Sequence, residues 1–304
     1  MTERTLAPLG SDNMRRISNS EVSTWLTCEK KYYYGFDLNL EPKVSGGALG
    51  KGTLLHEILA DYYLLLKYGA THEAASREAR INLQKYMSGT LYPMSTVLEV
   101  DKLLQGYWNF YQGDPDWEII EVEKSYDLPM TEAYEYSLRL DLLVRERSTS
   151  ALVLVDHKTA FNFWTQDDLD LNPQFPKYIG ALRGNGVYVD KAVLNQIRTR
   201  VIKNPTMDQM YRRAVQKPSI AKVTQSMREQ VLTSNKIVLH RNLPVEVQSA
   251  NSVRVLNKTV CQYCNFKALC MSEFDGGDIT PMIDTDFQQN TYGYNTPTND
   301  MDEL

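Results

Sequence analysis

No stretch of the chain approaches the roughly 18 consecutive apolar residues that a membrane helix needs. Its first twenty residues, MTERTLAPLGSDNMRRISNS, hold no apolar core of a secretory signal. We therefore expect a cytoplasmic protein with no membrane partner, in a compartment where thiols stay reduced. Cysteine is scarce, with 4 in 304 residues. No internal repeat is visible, and no G-x-x-x-x-G-K-[ST] nucleotide-binding loop. Lys and Arg are missing from residues 272–304, which carry eight acidic residues. The net charge of −5 therefore hides an excess of +3 over the rest of the chain. Residues 191–241 concentrate that excess, with eleven Lys or Arg against only Asp208 and Glu229. Such a density can neutralise a phosphate backbone, so an acidic overall balance does not exclude nucleic acid.

Apolar periodicity predicts helices over 21–34, capped by Ser20, and over 52–68, where Leu55, Ile58, Leu59, Tyr62 and Leu66 form one stripe. Further helices are expected over 72–87 and 94–112. The middle then changes character. Residues 117–128, 134–145 and 151–157 are short, rich in β-branched and aromatic residues, and separated by polar turns, which is the pattern of consecutive strands. A helix over 173–183 and a strand over 192–201 follow. The order implies an α/β core with a helical N-terminal elaboration. Residues 1–18 read as a flexible lead, 19–271 as the folded domain, and 272–304 as an acidic disordered tail.

LVLVDHKT ends an apolar strand with Asp156 and Lys158 two residues apart, hence on one face. Asp141, in YSLRLDLLV, would come alongside Asp156 if the two strands pair as a hairpin. Two converging carboxylates suit a hard cation such as Mg²⁺ or Mn²⁺, and a lysine beside them can orient water or stabilise developing charge. His56, in GTLLHEIL, lies on an otherwise apolar helix face, where it is either a packed core residue or a metal ligand. Gln174 and Tyr178 stand one helical turn apart just after the strand that carries Lys158. The other chemistry-bearing group is Cys28 with Cys261, Cys264 and Cys270, the last three as C-x2-C-x5-C. Four thiolates can hold one metal centre, and Zn²⁺ and an iron–sulfur cluster fit equally well at this point. Either centre would staple distant parts of the chain together.

The ordered set G-x-x-x-H, R-x-D, D-x-K and Q-x-x-x-Y, flanked by Cys28 and the C-x2-C-x5-C, resembles the RecB-like branch of the PD-(D/E)XK nucleases. It is most similar to the branch's iron–sulfur members, the AddB-type nuclease domains and the CRISPR-associated RecB-like exonucleases, which also occur in phages. The resemblance implies a restriction-endonuclease-like central mixed β-sheet flanked by helices, closed by a C-terminal iron–sulfur staple. It implies metal ligation by His56, Asp141, Asp156 and the backbone carbonyl of His157, with Lys158 as the catalytic lysine and Gln174 and Tyr178 as positioning groups. It implies a 4Fe–4S cluster on Cys28, Cys261, Cys264 and Cys270. One departure stands out: relatives often have an acid just before the Arg of R-x-D, where this chain has Leu138.

The resulting expectation is a Mg²⁺- or Mn²⁺-dependent DNA exonuclease acting on single strands or duplex ends, in recombination, repair or phage DNA processing. A helicase or recombination protein is the natural partner. A non-catalytic DNA-end-binding subunit of the same fold is the alternative, and a zinc-held interaction module a third reading. Within the basic stretch, Arg198, Arg200, Lys203, Arg212, Arg213, Lys217, Lys222 and Arg228 are candidates for phosphate contact. Tyr188, Tyr211 and Tyr32–Tyr34 are candidates for stacking on unpaired bases.

Overall fold

The computed structural model describes residues 15–43, 48–88 and 91–290. Its strands are β1 (Arg15–Ser18), β2 (Leu40–Pro42), β3 (Trp117–Pro129), β4 (Tyr134–Glu146), β5 (Leu152–Ala160), β6 (Lys191–Arg198), β7 (Tyr211–Gln216) and β8 (Phe287–Gln289). The helices are α1 (Asn19–Thr27), α2 (Glu29–Tyr32), α3 (Ala48–Lys67), α4 (His72–Lys85), α5 (Met94–Tyr111), α6 (Gln166–Leu171), α7 (Gln174–Gly184), α8 (Met207–Met210), α9 (Ile220–Arg241), α10 (Val245–Ala250), α11 (Lys258–Cys261), α12 (Lys267–Phe274) and α13 (Thr280–Asp286). None of the described helices is long and apolar enough to cross a membrane. The described residues fall into two compact units, one drawn from 45–126 and 138–227, the other from 1–44, 127–137 and 228–304.

The first unit is built on a mixed sheet. β3 pairs with β4, β4 runs antiparallel to β5, β5 parallel to β6, and β6 antiparallel to β7. β5 opens on the apolar run 152–155 and β6 carries 192–194, whose side chains on both faces are mostly covered, the usual condition of parallel strands. Helices α3, α4 and α5 pack on one another. Leu54, Leu55, Ile58, Leu59, Val100, Leu104, Val153 and Val155 form the core between them and the strands. Burying each such side chain contributes about 1.5–3 kcal/mol before chain entropy is counted. The Thr71 hydroxyl starts α4 by accepting the Ala74 N–H at 3.2 Å. Left-handed backbone at Gln112 (φ 50°) and Gly113 (φ 79°) stops α5. Gly106 is required where it stands, because any Cβ there would collide with the hydroxyl of Tyr211, which docks on α5 by donating to the Leu103 carbonyl at 2.7 Å.

In the second unit β1 lies parallel to Tyr134–Ser137, and β2 pairs antiparallel with β8. The expected single helix over 21–34 is interrupted. Ser18, rather than Ser20, caps α1 by accepting the Glu21 N–H at 3.1 Å. Cys28 then adopts an extended conformation (φ −169°, ψ 115°) that breaks the helix before α2 resumes. The unstructured lead and tail are likewise corrected within the described residues. Arg15–Ser18 form β1, and the chain beyond 271 completes α12, α13 and β8, because Phe287, Ile279, Met282 and Ile283 pack with Tyr34, Leu40 and Phe266. The remaining parts of those two expectations, 1–14 and 291–304, lie outside the described residues.

Candidate metal and active site

Four elements of the first unit converge on one polar cluster. Gly52 lets α3 come close to the end of β5, since a Cβ there would sit 3.2 Å from Thr159 Oγ1. One turn further along α3, His56 Nδ1 reaches to 3.4 Å from Asp141 Oδ2. The hairpin register of β4 and β5, with Leu142 opposite Val155, sets Asp141 beside the Asp156–Lys158 segment. Asp141 Oδ2 also accepts the His157 backbone N–H at 2.6 Å. Alternation along β5 leaves Lys158 exposed, Asp156 half-buried on the same face, and His157 buried on the other. Gln174, the first residue of α7, donates from Nε2 to Asp156 Oδ1 at 2.9 Å. Tyr178 lies one turn on, buried, its hydroxyl pKa pushed up by burial and by Asp156 and Asp141. The His157 ring stacks on Tyr63 with centroids 5.5 Å apart and meets Asn195 Nδ2 at 2.7 Å through Nδ1. Its side chain is buried in the core with its ring 6.0 Å from that of His56, while its backbone N–H reaches the Asp141 carboxylate.

Glu123 is the member that sequence reasoning missed. One donor atom each from His56, Glu123 and Asp141 lies within 4.8 Å of the other two, a spacing from which all three can bind one cation. Glu123 comes from β3, at a left-handed backbone position (φ 50°) that costs a non-glycine residue about 1–3 kcal/mol. Arg139 holds its carboxylate through Nε at 2.7 Å. The acid that β4 lacks before Arg139 is thus matched from the neighbouring strand. The only hint in the sequence was the acidic alternation of Glu121 and Glu123, which the left-handed residue then interrupts.

Crowding of acids sets the proton balance. Burial lowers the His56 pKa, but the Asp141 hydrogen bond and the surrounding carboxylates outweigh it and raise His56 to about 9. Burial and then Asp141 push Asp156 up to about 7. Glu123 also rises to about 7, through burial and Asp141, against the pull of Arg139 and His56. Asp141 suffers burial too, yet the His56 and His157 contacts hold it below the usual carboxylate range. Burial lowers His157 to about 3, so its ring is neutral. Among the described residues, His56, Glu123 and Asp141 form the close donor set suited to a hard divalent cation, with Asp156 on the next strand outside that triplet.

In the second unit all four cysteines line one cavity, together with Lys31, Tyr34, Arg254, Val255 and Phe266. The Val255 N–H points at Cys28 Sγ at 3.5 Å, and Arg254 donates to Cys270. Burial raises the Cys264 thiol, while Lys31 opposes the rise. Among the described residues no three cysteine sulfurs come as close together as the His56, Glu123 and Asp141 donors do.

Several expected nucleic-acid contacts are corrected. Tyr32, Tyr33, Tyr34 and Tyr211 are buried and so unavailable for stacking. The Tyr32 hydroxyl donates to Glu21 and the Tyr34 hydroxyl to Glu273. Arg213 lies between the rings of Tyr111 and Trp117 and pairs with Asp114 at 2.5 Å, so it holds the core rather than a phosphate. Tyr188 remains, 75% exposed.

The profile of the PD-(D/E)XK nuclease superfamily matches residues 16–271. The chain belongs to that superfamily. Its mixed sheet with flanking helices agrees with this fold, and superfamily membership brings nuclease activity on DNA with a divalent metal. Among solved structures, the chain is similar to SSO0001 at 16% identity, with a TM-score of 0.35 over 62% of this chain and 80% of that one. It is also similar to a candidate exonuclease from Eubacterium rectale at 10% identity, with a TM-score of 0.49 over 86% of this chain and 94% of that one. No protein with a curated description matches the chain.

Proposed function

We propose that this PD-(D/E)XK nuclease is a Mg²⁺- or Mn²⁺-dependent DNA exonuclease that hydrolyses single strands or duplex ends, in recombination, repair or phage DNA processing. The observation that carries the reading is the convergence of His56, Glu123 and Asp141 donors within 4.8 Å, beside Asp156 and Lys158 on β5. The bound cation would supply Lewis-acid polarisation of the phosphodiester and an acidified water. His56, Glu123, Asp141, Asp156 and the His157 carbonyl are the groups that would hold it. Gln174 fixes the Asp156 carboxylate, and the His157 N–H fixes Asp141, so both acids are oriented before substrate arrives. Lys158, exposed and on the same strand face as Asp156, is placed to hold the attacking water or the charge that grows on the phosphate. Tyr178 supports Gln174 from the next turn of α7.

We also assign Cys28, Cys261, Cys264 and Cys270 as the ligands of a 4Fe–4S cluster. All four sulfurs line one cavity, so a single centre can take them all, and the resemblance to the iron–sulfur nucleases favours the cluster over a lone Zn²⁺. The hydrogen-bond donors at Cys28 and Cys270, with Lys31 near Cys264, complement thiolate charge. The cluster's role is structural, since phosphodiester hydrolysis needs no electron transfer.

End-labelled linear DNA and covalently closed circular DNA, each with Mg²⁺ or Mn²⁺, test the catalytic reading. Linear substrate should be degraded from its ends and closed circles spared. Equal rates on both would make the enzyme an endonuclease, and no cleavage with either ion would remove the assignment. Iron and sulfide analysis of the purified protein, with its visible spectrum, tests the cluster; stoichiometric zinc in a colourless protein would replace it.

A further inference from the structure

Three aromatic residues, Phe161, Phe163 and Trp164, fall within four positions directly after β5. Each has a cation over its ring. The Arg200 guanidinium lies 5.4 Å from the Phe161 centroid, Arg198 lies 4.0 Å from Phe163, and Lys158 Nζ lies 5.7 Å from Trp164. The parallel register of β5 and β6 explains the ladder. Ala160 stands opposite Arg198, so the hook after β5 and the segment after β6 leave the sheet side by side. The Thr199 N–H donates to the Ala160 carbonyl at 2.9 Å, and the Trp164 N–H to Gln196 Oε1 at 2.7 Å. The hook is therefore pinned at both ends rather than left to find its shape on binding.

Single exposed apolar side chains need no explanation, and an exposed cation–π pair contributes only about 0.5–1 kcal/mol. Three such pairs in a row are a different matter. Phe161 is 64% exposed, Arg200 and Lys158 are exposed, and the last rung of the ladder is the lysine of the nuclease site itself. Rings with guanidinium groups between them match a polymer that alternates flat bases with phosphates. A base paired within a duplex cannot offer its face to such a surface, whereas an unpaired base can.

We propose that Phe161 and Phe163 form a base-stacking platform for single-stranded DNA, with Arg198 and Arg200 gripping the adjoining phosphates, and that it leads the strand to Asp156 and Lys158. The assignment rests on the nuclease reading and deepens it by naming the strand state the site receives. Phe161 and Phe163 are positioning residues; they act on where the strand lies and not on the reacting phosphate.

The test is equilibrium binding in EDTA, where cleavage plays no part. Fluorescence anisotropy compares oligothymidylate with an abasic oligonucleotide of equal length and charge. Wild-type protein should prefer the oligothymidylate by roughly fivefold or more, since stacking acts per base. Phe161→Ala/Phe163→Ala should abolish that preference, and Phe161→Leu/Phe163→Leu, which keeps bulk and packing without a π face, should abolish it too while melting like wild type. Arg200→Ala should weaken both ligands equally and lower the salt slope. A wild type indifferent to bases, or a Leu pair that retains the preference, overturns the platform. A clear base preference in a protein that cuts no DNA would sink the nuclease reading and leave the platform standing.

Discussion

The two donor sets of this chain are built in opposite ways. His56, Glu123 and Asp141 are oxygen and nitrogen donors from two strands and a helix that lie within 4.8 Å of one another, and the sheet register sets Asp156 opposite Asp141. The cysteines are sulfur donors, three of them within ten residues on short helices and turns, with Cys28 at a break between helices. A site assembled by sheet register exists only once the core of its unit has formed, so its ligands need contribute nothing to folding. A site on short helices and turns leans on a small core, Tyr34, Phe266, Leu269 and Phe287, and the proposed cluster would add the cross-link that this packing lacks. Hence removing a ligand should cost chemistry in the first set and stability in the second.

The largest effect tests the first half of that statement. Asp156→Ala or Lys158→Ala should reduce Mn²⁺-dependent cleavage at least about a thousandfold, in keeping with losses for groups that act as a unit. The melting temperature should stay within a few degrees of wild type, because Lys158 is exposed and Asp156 is a half-buried acid whose crowded carboxylate opposes folding when ionised. Substantial residual activity, or unfolding in place of inactivation, would erase the contrast.

Cys264→Ser tests the second half. It should remove the visible chromophore and lower the melting temperature by ~10 °C or more, which is several kcal/mol at about 2–4 °C each for units of this size. The specific activity of protein that remains folded at low temperature should be retained within a few-fold. A variant that keeps its stability and colour, or loses activity while fully folded, would show that the two sets are not divided into chemistry and staple.

Glu123→Gln sharpens the comparison inside the first site. It removes charge and ligand capacity but keeps shape, so the metal concentration for half-maximal activity should rise about 10- to 100-fold, with activity at saturating metal reduced only modestly. Titration of cleavage against Mn²⁺ reads this directly. An unchanged metal requirement would make Glu123 merely the partner of Arg139.

What could be read from the sequence follows the same division. Helices α3, α4, α5 and α7 and strands β3 to β6 were legible because their apolar periodicity is decided within a few turns. The pairs Asp156–Lys158 and Gln174–Tyr178 were legible because alternation and helical repeat put each on one face. Glu123 was not, since its approach to Asp141 depends on how β3 pairs with β4 and on a left-handed residue that breaks alternation. Arg213 and Tyr211 show the converse error. Basic and aromatic residues look like ligand contacts in a string of letters, but Asp114, Tyr111 and Trp117 had already claimed the guanidinium and the Leu103 carbonyl the phenol. Phe161 and Phe163 escaped notice because their cations follow a different strand and are adjacent only through the register of β5 and β6.

The smallest effect concerns protons that stand where a cation would bind. In the folded, metal-free protein His56 is held at about 9, above its ordinary 6.5, so its stabilising contribution is complete below pH 6.5 and is lost as pH rises through 9. Asp156 and Glu123 sit at about 7, above the values near 4 that they have when unfolded, so folding favours their protonated forms and the benefit disappears as pH rises through 7. His157, lowered to about 3, acts the other way by adding stability up to pH 6.5, but the other three signs agree and outnumber it: metal-free protein should melt lower at pH 9 than at pH 5. A divalent cation displaces those protons and relieves the carboxylate crowding, so Mn²⁺ should raise the melting temperature more at pH 8 than at pH 5. Glu123→Gln should flatten part of the metal-free slope, because its amide cannot ionise. Calorimetry across this range, with and without Mn²⁺, decides the matter. A metal-free melting temperature that is level or rising towards pH 9, with a Mn²⁺ gain indifferent to pH, would mean that the acids of β3, β4 and β5 do not share a site.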